Sequence, residues 1–286
     1  MKTVVITGAS TGIGEATALY LAKHGWRVYA GVRKQSDADA LSASSEGDIR
    51  PLILDVTRQE HLETAVRTVS ETLKGETLTG LVNNAGIANM GPLAIQPLDD
   101  FKAHFEVNVF GLLCASQAFA PLLGMDKTRT GAPGRIVNIT SVGGRISAPF
   151  LGAYTATKHA VEAMTDTLRR ELVIFGIDAI AVGPGSVKTP IWDKAEEANS
   201  DGSYSGSAWS DALKQFEQVM LKGGRDGLPP EQIAKVIEIA LEDATPRARY
   251  SPVPKKLTNW YIPTLLPKRV LDGVFRKRFG MTKPGK

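Results

Sequence analysis

The chain has 286 residues, 43% hydrophobic and 22% charged, enough apolar material for one large domain with a sizeable core. Its single cysteine, Cys114, excludes an intrachain disulfide, its four histidines make no metal-ligand spacing, and no apolar run is long enough for a membrane-spanning helix. The net charge of +4 sits at the C-terminus, where Lys255 to Lys286 set nine basic residues against one acid, Asp272; the rest is mildly acidic, which argues against nucleic-acid binding.

Short apolar runs alternate with helical patterns. Thr3–Ile6, Arg27–Val32, Arg50–Leu54, Leu78–Asn83, Arg135–Ser141 and Asp178–Gly183 read as strands, with a short seventh near Arg249–Val253. Between them fall a helix ending near His24, a periodic one over Arg58–Leu73, and others opening near Pro97 and spanning Val109–Leu123. A long helix carries Tyr154, and another covers Pro230–Glu242. This alternation predicts a parallel sheet covered on both faces, a doubly wound α/β fold. Asp193–Ser210 breaks the rhythm: polar and rich in Gly and Ser, it is expected to belong to a mobile lid near 190–225, inserted in a domain covering 1–254. The start runs straight into Val4-Val5-Ile6, so a secretory signal is not expected and a cytoplasmic protein is. Cys114, within Leu112-Leu113-Cys114-Ala115, is expected to be buried, and His159 to be structural.

Chemistry enters with the loop after the first strand, Thr7-Gly8-Ala9-Ser10-Thr11-Gly12-Ile13-Gly14. Glycines there allow a tight turn and a close backbone approach to a pyrophosphate seated on a helix N-terminus. An acid at the end of the second strand would bind the 2′-hydroxyl of NAD, but the chain reads Gly31-Val32-Arg33. A guanidinium at Arg33 suits a 2′-phosphate, so NADP(H) is favoured, with NAD(H) still possible. Asp55, followed by Val56, ends the third strand; it suits an adenine amino group or a helix N-cap. Tyr154 and Lys158 stand at i and i+4, so phenol and ammonium share one helix face. A positive charge ~4 Å away is worth roughly 4 kcal/mol at an effective dielectric of 20, enough to lower the phenol's pKa by about three units. Tyr154 is then expected to serve as a general acid or base near pH 7.

Together with Asn83-Asn84-Ala85-Gly86, Asn108, Ser141 and Pro184-Gly185-x-Val187-x-Thr189, these residues resemble the short-chain dehydrogenase/reductase family over residues 3 to about 253. The resemblance implies a Rossmann-type sheet ordered 3-2-1-4-5-6-7 and an NAD(P)-dependent oxidoreductase that interconverts a carbonyl and an alcohol. It implies that Tyr154 exchanges the proton, Ser141 holds the substrate oxygen, and Lys158 binds the nicotinamide ribose. Asn108 would support a water, Asn84, Ala85 and Gly86 would line the cofactor cleft, and Val187 and Thr189 would hold the carboxamide. Homodimers or homotetramers are expected. The alternative, a cofactor-binding regulatory module with vestigial activity, fits poorly with an intact Asn108/Ser141/Tyr154/Lys158 set. Gly183 stands where family members often carry a polar residue, which suggests a larger pocket.

An apolar substrate is expected from Met90, Val142, Ile146, Phe150, Ile191, Trp192, Tyr204 and Trp209, which flank the catalytic loops. The basic extension 255–286 is similar to that of hydroxysteroid and retinol dehydrogenase-like members. A helix over Pro267–Phe279 would align Val270, Leu271, Val274 and Phe275 as an apolar stripe. That stripe either packs on the protein or, flanked by basic residues, makes a peripheral membrane contact that truncation after Pro254 would remove without harm to the chemistry.

Overall fold

The central strands carry apolar side chains on both faces, and the fold covers both. The computed structural model describes residues 1–191, 193, 197 and 202–281. The sheet consists of β1 Thr3–Ile6, β2 Arg27–Val32, β3 Ile49–Ile53, β4 Gly80–Asn83, β5 Arg135–Ile139, β6 Asp178–Val182 and β7 Arg249–Tyr250. Every pairing is parallel, and the order is β3-β2-β1-β4-β5-β6-β7, as the resemblance implies. The helices are α1 Gly12–Lys23, α2 Gln35–Ala43, α3 Gln59–Leu73, α4 Leu98–Phe105, α5 Gly111–Phe119 and α6 Gly152–Leu172. After them come α7 Ser210–Arg225, α8 Pro230–Glu242 and α9 Lys268–Arg278.

Alternation along β1 shows how the layers form. Val4 and Ile6 point to one face, where Leu21 of α1 and Ile233 and Ile237 of α8 cover them. Val5 points to the other, into a core with Val69 of α3, Phe119 of α5 and Leu172 of α6. Each such aliphatic side chain is worth about 1.5–3 kcal/mol buried rather than exposed. Because β1 pairs with β2 on one side and β4 on the other, the loops after β1 and β4 diverge and leave a crevice at the carboxyl ends of the strands.

Four features differ from expectation. The chain from Leu98 to Phe119 is one helical run with a π turn, Glu106–Phe110, at Asn108, in place of two separate helices. β7 stops at Tyr250, because Pro252 and Pro254 have no N–H to extend the ladder. Cys114 is exposed, since α5 turns Leu112, Ala115 and Phe119 inward and leaves Cys114 on its outer face. Asp55 is not a helix N-cap: α3 begins later, at Gln59, and Asp55 instead closes a turn on Thr57.

Of the lid region, Trp192 and residues 194–196 and 198–201 lie outside the described residues. Several side chains of the remainder pack down. Tyr204, Leu213 and Phe216 join Met90, Phe150, Leu151 and Tyr154 in one apolar cluster, and Phe279 from the chain's end completes it. The tail stripe is therefore divided. Phe275 and Phe279 face the protein, with Phe279 5.2 Å from Phe216 between ring centroids, while Val270 and Val274 face outward.

Candidate active site

The loop after β1 is shaped by contacts that only glycine permits. Gly8 has φ +66, and a Cβ there would sit 2.7 Å from the Ala85 Cα. A Cβ on Gly14 would meet the Gly8 carbonyl oxygen at 2.3 Å, which fixes α1 close beneath the loop. Thr7 locks this loop to the one after β4: its hydroxyl accepts from the N–H groups of Asn84 and Ala85 at 3.0 and 3.1 Å. Asn84 answers by donating to the carbonyls of Thr7 and Gly8 at 3.1 and 2.8 Å. A cleft of about 410 Å³ opens above, running from Gly12 and Ile13 past Asn84 and Gly86 to Arg33, Asp55 and Val56, with Ser10, Thr11, Ala85 and Thr189 also on its wall.

At the far end of this cleft Arg33 is exposed, with no carboxylate in salt-bridge contact among the described residues. Partial burial pushes the Asp55 carboxyl up. The Thr57 N–H and hydroxyl, with Arg33 and His61 nearby, outweigh it and hold the group below the usual carboxylate range.

A smaller cavity of about 100 Å³ gathers the reacting side chains: Ser141, Tyr154 and Lys158, with Asn84, Pro184, Gly185, Val187 and Thr189 around them. Ser141 follows β5, and its Oγ accepts from the Gly143 N–H at 3.0 Å and hydrogen-bonds Tyr154. Lys158 donates to the Ile139 carbonyl at 2.8 Å, and its Nζ lies 5.7 Å from the Tyr154 ring centroid. Asn108, on the π turn, accepts from the Ile87 N–H at 2.8 Å and donates to the Ile87 carbonyl and the Thr157 hydroxyl, both at 3.0 Å. Its side chain thereby ties the β4 loop to α6. A π turn at a residue so engaged is typical of functional positions.

The electrostatics correct one expectation. Burial pushes the Tyr154 phenol up, and the Ser141 hydrogen bond only partly opposes it, so the net direction is opposite to the expected lowering. Both side chains are buried, and the ammonium is turned to the Ile139 carbonyl. Burial also pushes Lys158 down to about 8, against the pull of Glu162 one turn further along α6. A phenol held protonated can donate to an oxygen placed beside it.

Sequence reasoning left three features unassigned. Thr7 appears in the glycine motif without a role. Asn83, Asn138, Ser116 and Thr165 form a buried chain of hydrogen bonds, each 2.9 Å, beneath the site. Glu162 sits at i+8 from Tyr154, a charge on a buried helix face, and pairs with Arg249; that charge was the available signal. Arg249 also corrects the reading of Gly183, since its Nη2 would lie 2.2 Å from a Cβ there and fills the space that a larger pocket would need. Another cavity, about 580 Å³, is walled by Pro149, Phe150, Phe275 and Met281, with none of Ser141, Tyr154 and Lys158 on its wall. Among the described residues no cluster could hold a metal.

Comparison with known proteins agrees with this geometry. A family model described as short chain dehydrogenase matches residues 2–200. NADPH-dependent 3-dehydrocapnine reductase of Ornithobacterium rhinotracheale is 34% identical over 277 residues, covering 97% of both chains. Mouse retinol dehydrogenase 5 is 34% identical, covering 95% of this chain and 86% of its own. Among solved structures, a short-chain dehydrogenase from Streptomyces avermitilis aligns with a TM-score of 0.76 at 25% identity, covering 96% of this chain and 94% of its own.

Proposed function

Because the chain belongs to the short-chain dehydrogenase/reductase family, and is an NAD(P)-dependent oxidoreductase, we propose that it uses NADP(H) to interconvert a ketone or aldehyde and an alcohol on an apolar substrate, with Tyr154 as the acid and base. The observation that carries this reading is the joining of Ser141, Tyr154 and Lys158 in one cavity at the inner end of the glycine-walled cleft.

The residues fit the cofactor. Gly8, Ser10, Thr11, Gly12, Ile13 and Gly14 would hold the pyrophosphate, where side-chain-free backbone and the α1 N-terminus meet. Arg33, Asp55 and Val56 would hold the adenosine end, with Arg33 free to take a 2′-phosphate. Asn84, Ala85 and Gly86 would flank the ribose, Lys158 and Tyr154 would bind its hydroxyls, and Pro184, Gly185, Val187 and Thr189 would orient the carboxamide. The nicotinamide, when bound, supplies or receives the hydride.

The chain's own part is orientation and one proton. Ser141 Oγ and the Tyr154 hydroxyl are hydrogen-bonded and together can hold one substrate oxygen. In the reducing direction the Tyr154 O–H gives its proton to that oxygen. Lys158, next to the phenol, steadies the negative charge left behind, and Asn108 holds the Ile87 turn and α6 so that the pair keeps its place. Met90, Phe150, Tyr204 and Phe216 exclude water from the apolar side of Tyr154 and suit an apolar substrate body. Tyr154→Phe should retain NADPH binding and lower kcat by at least ~10² in a carbonyl-reduction assay; retained turnover rejects the assignment.

A homo-oligomer is part of the proposal, since Phe110 and Cys114 leave the outer face of the α4–α5 run exposed. So is a peripheral membrane contact by the C-terminal extension, where Leu257, Leu265 and Val270 are exposed among lysines and arginines.

A further inference from the structure

Arg249 lies on the short edge strand β7, outside every motif that carries the family resemblance, yet all sides of its guanidinium are engaged. Nε donates to both carboxylate oxygens of Glu162, at 3.0 and 3.1 Å. Nη2 donates to the main-chain carbonyl of Ser141 at 3.2 Å, and Nη1 to the Ser251 hydroxyl. The Trp260 ring lies over the guanidinium carbon, 4.4 Å from the ring centroid, close enough for a cation–π contact. The group is largely enclosed, with 15% of the Arg249 side chain and 7% of the Glu162 side chain exposed. Arg145 approaches the same carboxylate from the more open side, at 3.2 Å.

Three places are joined here that the chain keeps far apart. Glu162 belongs to the helix that carries Tyr154 and Lys158, one turn beyond the lysine. Ser141 begins the loop that bears the second substrate-facing hydroxyl. Trp260 belongs to the C-terminal extension. The vacancy of a side chain at Gly183 is what admits the guanidinium, because any Cβ would stand 2.2 Å from Nη2.

We propose that Arg249 is the positioning residue for Ser141: it fastens the Ser141 main chain to Glu162 on α6, so that the serine and tyrosine hydroxyls keep one spacing, and Trp260 of the extension holds it in place. The inference rests on the Ser141/Tyr154 reading above. It adds a mechanical link between the extension and the reacting groups. The link explains why a charge pair is buried outside the walls of both the cleft and the cavity of the reacting groups. A guanidinium is required: a lysine would match the Glu162 charge but cannot span the carboxylate, the Ser141 carbonyl and the Trp260 face together.

The test uses the full-length protein, NADPH and a panel of apolar ketones and aldehydes, with thermal unfolding and NADPH binding measured beside the kinetics. Tyr154→Phe is run first. A parent without turnover, or an active Tyr154→Phe, rejects the functional reading and this inference with it. Given an active parent and a dead Tyr154→Phe, Arg249→Lys and Gly183→Ala should fold, bind NADPH within about twofold, keep KM, and lose about ten- to a hundredfold in kcat, the scale of a small misplacement of a reacting group. Gly183→Ala keeps both charged side chains and displaces the guanidinium, with a second close approach to the Thr140 hydroxyl at 2.9 Å, so its loss does not come from a deleted charge. Trp260→Leu should lose less, and Trp260→Leu combined with Arg249→Lys should be no slower than Arg249→Lys alone, since both act through one group. Parent-like kcat in the two folded variants, an equal loss of NADPH affinity, or additive effects of Trp260 and Arg249 would overturn the proposal. Failure of both variants to fold would assign Arg249 to stability and overturn it as well.

Discussion

Lys158 shows a side chain that the fold holds at a cost. Its folded value near 8, against 10.5 for a free lysine, means that the fold binds the proton less tightly than the unfolded chain does. Below pH 8 both states carry the charge, and burying it costs the fold about 3 kcal/mol. As pH rises from 8 towards 10.5 the folded chain releases the proton first, the cost shrinks, and stability increases. Lys158→Met should therefore unfold at a higher Tm than the parent at pH 7 while losing turnover, with the gap closing between pH 8 and 10. A variant less stable than the parent at pH 7 would show that the bond to Ile139 outweighs the burial. Arg33 makes a second prediction at this scale. NADPH should bind more tightly than NADH, and Arg33→Ala should remove most of the difference, about 1.5–3 kcal/mol for a charge-assisted contact; equal affinities in the parent by fluorescence titration would reject it. Both positions could be singled out in the sequence because their signal is local: an i,i+4 spacing and a strand end. Arg249 was not, because its partners Glu162 and Ser141 lie 87 and 108 residues away.

The sheet was legible element by element, since parallel strands buried on both faces leave unbroken apolar runs that turns and helices punctuate. What the sequence hid were the ends and the faces. The π turn at Asn108 depends on the Ile87 main chain and Thr157, neither of which a helical period can register. The tail illustrates the same limit. Counting along the helix suggested one stripe of Val270, Leu271, Val274 and Phe275, whereas the packed face is set by where α7 lies and runs through Phe275 to Phe279. Phe279 is 3% exposed, in edge contact with Phe216, and Phe216 in turn meets Phe150 at 5.6 Å beside Tyr154. Phe279→Ala should free α9 from α7 at a cost of about 3 kcal/mol or more to that docking. Limited proteolysis should then cut near the extension under conditions where the parent resists, and KM for an apolar ketone should rise. A digestion pattern and KM identical to the parent's would show that α9 contributes nothing to the roof of the site.

For the molecule as a whole, charge and shape point the same way. No helix among the described residues is long and apolar enough to cross a membrane, so any membrane contact of this chain's described part by helices must be made at a surface. The extension is the segment suited to it: Leu257, Ile262, Leu265, Val270 and Val274 are each between 45% and 81% exposed, and Lys255, Lys256, Lys268, Arg269 and Lys277 stand among them. Basic groups near anionic lipid contribute about 1 kcal/mol each, and exposed apolar side chains add their burial in the headgroup region. The protein should therefore co-sediment with phosphatidylserine-containing vesicles in low salt, remain in solution with neutral vesicles, and be released by high salt. Truncation after Pro254 is not a clean test, contrary to the sequence-based expectation, because it removes Trp260 from Arg249 and Phe279 from Phe216 and should impair turnover by itself. Leu265→Glu with Val270→Glu changes only outward-facing side chains. That pair should weaken vesicle binding at least tenfold and leave ketone reduction in solution unchanged; binding that survives the pair, or that ignores lipid charge, removes the extension as the contact.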